Sequence, residues 1–313
     1  MGKTVRKIIV TIIYFGILIG LIVYHDPINK YIVENYIFSK EITEYSTNKY
    51  AKKADYNYVS ITDDFATTSK KDLLNDIYTI IDSGLDEFTF YCGDEYTDCI
   101  SDVEDLSSDT TSLTIINNFV NPFNSFNKLY ISTNSMGKIN IMVDKLYSSE
   151  EITYTEDKIN NIMSQVITND MTINEKIKAF HDYIINTTIY DEDRSNEIKN
   201  KIYNANIFNS HKASGVLENH IALCSGYTDV MAVFLNTIGV PNFKISNNDH
   251  IWNAVYIDNA WYHLDLTWDD PVTDTGANVL IYDFFLIDDA TLFQKEAVQH
   301  NYDASVYSEI ATR

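Results

Sequence analysis

Apolar and polar positions change rhythm several times along the chain, and each change marks an element. Residues Ile8–Tyr24, IIVTIIYFGILIGLIVY, hold no charged side chain and are apolar all round rather than along one stripe, which predicts a membrane-directed helix. A helical pattern runs from Ser69 to Ser83, then a strand at Phe88–Tyr91 and a second helix to about Leu106. Two strand-like runs follow, KLYIS and KINIMV, joined by Thr133–Gly137. These predict a small α/β or α+β unit over 69–150, preceded by a stalk or frayed helix of mixed polarity over 26–68. From Ile159 the period changes: Ile173, Ile177, Phe180 and Ile184 fall on one helical face, and Thr172 with Glu175 forms a capping-box pattern at its start. The polar stretch Glu192–Ser210 reads as an exposed insertion, and ASGVLEN as a short helix. Tyr227, Val230, Met231, Phe234 and Ile238 then share the face of a helix from Ser225, which Gly239 and Pro241 end.

The segment HIWNAVYIDNAWYHLDLTWDD, His250–Asp270, alternates as a two-stranded hairpin around Asp258–Asn259. With Ile257 opposite Ala260, one face carries His250, Trp252, Tyr256, Trp261, His263, Asp265 and Thr267. The other carries Ile251, Val255, Ile257, Leu264, Leu266 and Trp268, and looks like core. His250 then lies diagonal to Asp265, about 7 to 8 Å apart at the backbone, within reach of a long side chain. The polar face is read as free of packing duty.

Charge narrows the partners. The chain has 23 Lys and Arg against 45 Asp and Glu, a net charge of -22, which argues against a nucleic-acid surface. The exception is Lys3, Arg6 and Lys7, just before the apolar run. No small-x-small cleavage site follows, so residues 1–25 are expected to be an uncleaved signal anchor with its basic flank inside and the rest of the chain outside the cell membrane.

Three cysteines are present. On one continuous helix, Cys92 and Cys99 would lie about 10 Å apart, too far for a bridge. FTFYCGDEYTDCISDV reads instead as strand, turn and helix, which leaves a bridge open. Cys224 is the odd one, at a helix N-terminus whose partial positive charge and unpaired N–H groups favour a thiolate nucleophile. Among the seven histidines, His25, His211 and His300 lie in polar surroundings and are expected at the surface. His181 is expected to pack or cap, and His220 to point back along the chain. That leaves His250 as base and Asp265 as its orienting partner, the order of a cysteine acyl-transfer site.

The segments FHDYIINTTIYD, GVLENHIALCSGYTDVMAVFLNTIGVP, HIWNAVYIDNAWYHLDLTWDDP and YDFFLID resemble the transglutaminase-like domain of bacterial proteins, relatives of the papain-like cysteine peptidases. The resemblance implies a papain-like α+β core over 159–295, with the helix carrying Cys224 packed on an antiparallel sheet carrying His250 and Asp265. It also implies catalytic roles for those three residues. Asn219-His220 departs from the pattern, where a glycine-containing turn is expected. Trp252, Tyr227, Trp261 and His263 are assigned to substrate binding, His263 as a hydrogen-bonded wall residue.

No cofactor and no metal are expected. Cys224, His250, His263 and Asp265 are zinc-ligand types but lack a short-spaced pair, and Asp269, Asp270 and Asp274 lack a calcium-loop spacing and read as solvated surface. The expected partners are a protein or peptide substrate and, through the N-terminal helix, the membrane. The alternative is a non-catalytic binding or cell-wall-associated module that keeps the fold. Whether water or an amine accepts the acyl group stays open.

Overall fold

The computed structural model describes residues 13–20, 22–32, 45–93, 95–134, 137–202, 209–272 and 279–312. Among these, no helix is long and apolar enough to cross a membrane. Residues 13–20 are helical and largely exposed, but 8–12 and 21 of the expected anchor lie outside the described residues. Helix α1 (His25–Ile32) follows.

The first unit comprises β1 (Ala66–Thr67), α2 (Lys70–Asp82), β2 (Glu87–Cys92), α3 (Cys99–Ser108), α4 (Thr110–Phe119), β3 (Phe126–Thr133) and β4 (Lys138–Lys145). Its sheet has the order β1-β2-β4-β3, with β1 parallel to β2 and the other pairs antiparallel. Ser69 starts α2 by accepting the Asp72 N–H, and Leu73, Ile77, Ile80 and Ile81 bury the stripe that follows. The helix α4 had no counterpart in the sequence pattern. Cys92, at the end of β2, and Cys99, at the start of α3, are joined by a disulfide with Cα atoms 5.8 Å apart. The turn between strand and helix brings them within range.

Residues 45–68, expected as stalk, are instead packed into the core. Val59 is fully buried, and the rings of Tyr45, Tyr56, Tyr58 and Phe65 lie against Phe88, Phe119 and Phe243. Irregular spacing between polar residues hid this: isolated aromatics bury large area without producing a period.

The second unit contains α5 (Ser149–Val166), α6 (Ile173–Thr187), β5 (Ile189–Tyr190), α7 (Glu192–Lys199), α8 (Ala213–Asn219), β6 (Ile221–Ala222) and α9 (Cys224–Thr237). It continues with β7 (Asn242–Ser246), β8 (Ile251–Ile257), β9 (Ala260–Leu264), α10 (Leu266–Asp269) and α11 (Asp289–Lys295). Capping boxes start α5 at Ser148 and α6 at Thr172. The expected exposed insertion at 192–210 holds α7, none of whose residues is buried, while 203–208 lie outside the described residues. His220 supplies the left-handed turn that closes α8, φ 56°, where glycine is the usual choice.

Strands β7-β8-β9 form an antiparallel sheet in the predicted register, from Ile257↔Ala260 to Asn253↔Leu264. Asp258 and Asn259 both take positive φ, 51° and 64°, as a two-residue hairpin of matching twist requires. Val255, Ile257 and Leu264 pack with α6 and α9 in one core. The opposite face was expected to be free of packing. It is covered: Phe243, Ile245, Trp252 and Ala254 share a core with the first unit and with Tyr302, Val306, Tyr307 and Ile310 near the C-terminus. One small sheet therefore serves two cores, and the polar-looking face is buried because another part of the chain lies over it.

Candidate active site

Cys224 is the first residue of α9, with Leu223 as its cap. Two contacts place this helix start. A Cβ at Gly226 would stand 2.2 Å from the Ser210 carbonyl oxygen and 2.7 Å from Val216 Cγ2, so only glycine lets the first turn lie this close to α8. The Thr228 hydroxyl meets the carbonyls of Cys224, at 2.7 Å, and Ile251, at 3.0 Å, while Asn253 Nδ2 donates to the Thr228 carbonyl at 3.0 Å. Helix and hairpin are thereby fixed against each other, with half-buried Cys224 at their junction.

His250 sits just before β8. Its backbone N–H donates to Asn247 Oδ1 at 2.9 Å, and its Nε2 lies 2.5 Å from Asp265 Oδ2. Burial opposes charge on the ring, but the Asp265 carboxylate outweighs it, hydrogen bonding with the Cys224 side chain adds to the effect, and the pKa is raised to about 10. Asp265 follows β9 and caps α10. Its Oδ1 accepts the Thr267 and Trp268 N–H groups at 2.9 and 3.3 Å. Burial disfavours its charge, yet His250 and then His300 hold the carboxyl well below the usual carboxylate range. The structure thus brings together the three residues singled out by the sequence: thiol, imidazole and carboxylate.

It also adds a fourth. His300 was expected at the surface, but it is fully buried and places Nε2 2.9 Å from Asp265 Oδ2, the oxygen that His250 uses. Its polar neighbours Gln299 and Asn301 gave the surface impression; both line the cleft while the histidine between them turns inward. No periodic signal could have linked position 300 to position 265. His25, His211 and His220 are exposed, and His181 is buried between Asp182 and Asp269.

The cleft in front of Cys224 and His250 has a volume of about 930 Å³. Tyr190, Ile198, Lys199, Trp268, Asp270 and Val298 are among its walls. The four residues assigned to substrate binding are not. Trp252 is fully buried, stacked 5.5 Å from His250, and donates through Nε1 to His263 Nδ1. His263 is equally buried, and Trp261 packs 4.6 Å from Phe243. The Tyr227 hydroxyl, buried with its ring, donates to Asp270 Oδ2. These assignments are corrected for two reasons: the sheet face taken for a groove is covered by the first unit and the C-terminal segment, and Tyr227 turns from α9 into the second core.

Asp269 and Asp270, expected as solvated surface, are buried as well, and Asp274 lies outside the described residues. Burial raises the Asp270 pKa to about 6, although the Tyr227 hydroxyl opposes the rise. Among the described residues, His250, Asp265 and His300 are close enough to share a cation. Their 2.5 and 2.9 Å separations are hydrogen-bond distances. Two ligand atoms on one tetrahedral zinc would stand about 3.3 Å apart.

Residues 160–266 match the family model of the transglutaminase-like superfamily. That span holds Cys224, His250 and Asp265 and stops short of His300, so the chain carries a mixed α+β transglutaminase-like core. The mouse (Mus musculus) kyphoscoliosis peptidase is 20% identical over 179 residues, 51% of this chain and 26% of that protein. A solved structure of a TGase is 20% identical, covering 45% of this chain and 44% of the other with a TM-score of 0.35. The chain thus spans about a quarter of the curated relative's length and under half of the solved one's.

Proposed function

We propose that the chain is a cysteine-dependent acyl-transfer enzyme acting on protein or peptide amides. The observation that carries this reading is the junction of α9 with the hairpin: a thiol at a helix start and an imidazole open on one cleft, and the imidazole's far nitrogen is held by a buried carboxylate behind it. His250 Nε2 is engaged by Asp265, so Nδ1 is the nitrogen left to exchange a proton with Cys224. The Cys224 sulfur attacks the amide carbonyl. The Sγ–C bond forms, charge builds on the carbonyl oxygen, and first-turn N–H groups of α9, which have no intrahelical partner, receive it. The imidazolium then gives its proton to the departing amine as the C–N bond breaks, leaving a thioester. Water or a second amine, deprotonated by His250, releases the acyl group and restores the thiol.

The basic flank and apolar run at the N-terminus support a cell-membrane anchor with this domain outside, and the Cys92–Cys99 disulfide suits an oxidising compartment. The test is the rate at which iodoacetamide alkylates Cys224 near neutral pH, together with mass-spectrometric capture of an acyl-enzyme. Alkylation faster than free cysteine, lost in His250→Ala, supports the enzyme. A Cys224 that reacts no faster than free cysteine and traps no acyl fragment returns the chain to a non-catalytic binding module.

A further inference from the structure

The match to the superfamily ends at residue 266, yet the polar cluster around Asp265 is completed 35 residues later, by His300. We propose that His300 is a positioning residue of this site: by donating to the same Asp265 oxygen as His250, it sets how tightly that oxygen holds the His250 N–H. The proposal rests on the acyl-transfer reading for its consequence, but not for its geometry.

Three observations carry it. The carboxylate does not need His300 for orientation, because Oδ1 is already pinned by the Thr267 and Trp268 N–H groups. What His300 changes is therefore Oδ2. Its ring lies among Trp252, Trp268 and Phe284, with centroids 4.9, 5.0 and 4.9 Å away, and stacks on Phe284 with the two planes parallel to within 13°. A phenylalanine would suit such walls. The histidine's one hydrogen bond runs from Nε2 to Asp265, and Nδ1 has no hydrogen-bond partner among the described residues. The donor is what the position uses. Finally, Asn247 ties the segment to the base: its Oδ1 accepts the His250 backbone N–H at 2.9 Å, and its Nδ2 donates to the carbonyls of Gln299 and Asn301, at 2.6 and 2.9 Å, on either side of His300.

An oxygen that accepts two N–H bonds has less electron density for each, so His300 loosens the Asp265–His250 bond and leaves the His250 proton easier to release. The other charged or titratable groups at the site include Cys224 on α9, Asp249 beside His250 in the chain, Glu296, which interacts with His300, Lys199 and Asp270 in the cleft wall, and, interacting with Asp265, Tyr190 and Asp269.

The experiment is proton NMR of the full-length chain with ¹⁵N-labelled histidine. The wild type is expected to show two strongly downfield Nε2 protons, from His250 and His300, both lost in Asp265→Ala. In His300→Phe the remaining signal moves further downfield and titrates at higher pH. In His300→Gln, which keeps an N–H donor, it stays near the wild-type position. A single downfield proton in the wild type, or a His250 signal unmoved in His300→Phe, overturns the proposal. Should His300→Phe fail to fold, the wild type and Asp265→Ala decide alone. Iodoacetamide separates the two ideas: a shifted resonance with an unreactive Cys224 removes the enzyme and keeps the shared oxygen.

Discussion

The indole N–H of Trp252 donates to Nδ1 of His263 across 3.0 Å inside the sheet's covered face. Trp252 also stacks on His250, so a buried pair with no access to the cleft supports the ring that faces it. Trp252→Phe removes the indole N–H donor together with part of the fused ring, so a small cavity accompanies the lost bond. Urea unfolding should show a loss of about 1 to 3 kcal/mol, the cost of leaving a buried polar atom without that partner. An unchanged midpoint and slope would mean that the indole bond contributes nothing to stability.

The His250–Asp265 pair makes stability depend on pH in a defined window. His250 is raised to about 10, so its contribution is complete below the unfolded value of about 6.5 and disappears as pH rises through 10. Asp265 is depressed, so its contribution is complete above about 3.9 and falls away in stronger acid. The stability difference between wild type and His250→Gln should therefore be flat from about pH 4 to 6.5 and shrink toward pH 10. A rise from about 6.5 to about 10 bounds it at about 5 kcal/mol, counted once for the pair. A difference that grows between pH 7 and 10 would contradict this linkage.

Much of the site was legible because local rules dictate it. Alternation around Asp258–Asn259 set the hairpin register, register set the parity of His250 and Asp265, and helical spacing after Cys224 placed the thiol at a helix start. Residues whose meaning depends on distant packing were misread. Trp252, Trp261 and His263 look like a polar, aromatic binding face until the first unit and the C-terminal segment cover them. Tyr227 and Asp270 each look ordinary alone, and become a buried hydrogen-bonded pair only when α9 meets the segment after β9. His300 belongs to the same class: its partner is fixed by tertiary closure, which no sequence period records.

The disulfide closes a short loop, Cys92 and Cys99 being seven residues apart in sequence. Chain-entropy reasoning gives about 2.5 kcal/mol for such a loop. The double variant Cys92→Ala/Cys99→Ala should unfold at lower denaturant by that order, while the iodoacetamide rate of Cys224 stays at the wild-type value. A large drop in Cys224 reactivity would show that the bridge reaches the site through the shared core.

Topology is checked on intact cells. Protease added outside should trim the chain to a fragment beginning after the N-terminal apolar run, because Lys3, Arg6 and Lys7 are expected to stay inside. Digestion only after lysis would reverse the orientation.

Asp265→Asn should be more damaging than a same-shape substitution normally is. In triads, asparagine can hold the base, but here the carboxylate accepts four N–H groups: Thr267 and Trp268 on Oδ1, His250 and His300 on Oδ2. An amide has one acceptor oxygen. If that oxygen faces the backbone pair, its NH₂ meets two imidazole N–H groups; if it faces the histidines, the NH₂ meets two backbone N–H groups, which cannot change. The first arrangement is the less costly, because both rings can move their proton to Nδ1. For His250 that shift directs an N–H toward Cys224 and removes the lone pair that takes the thiol proton. Asp265→Asn should therefore lower acyl transfer on the order of 10³- to 10⁴-fold, as wrong-tautomer variants do, and bring the alkylation of Cys224 down to the rate of free cysteine. His263→Gln should leave that rate within a few-fold of wild type. Fast alkylation retained in Asp265→Asn would mean that Cys224 is activated without the His250–Asp265 pair, and the roles assigned to all three residues would have to be redrawn.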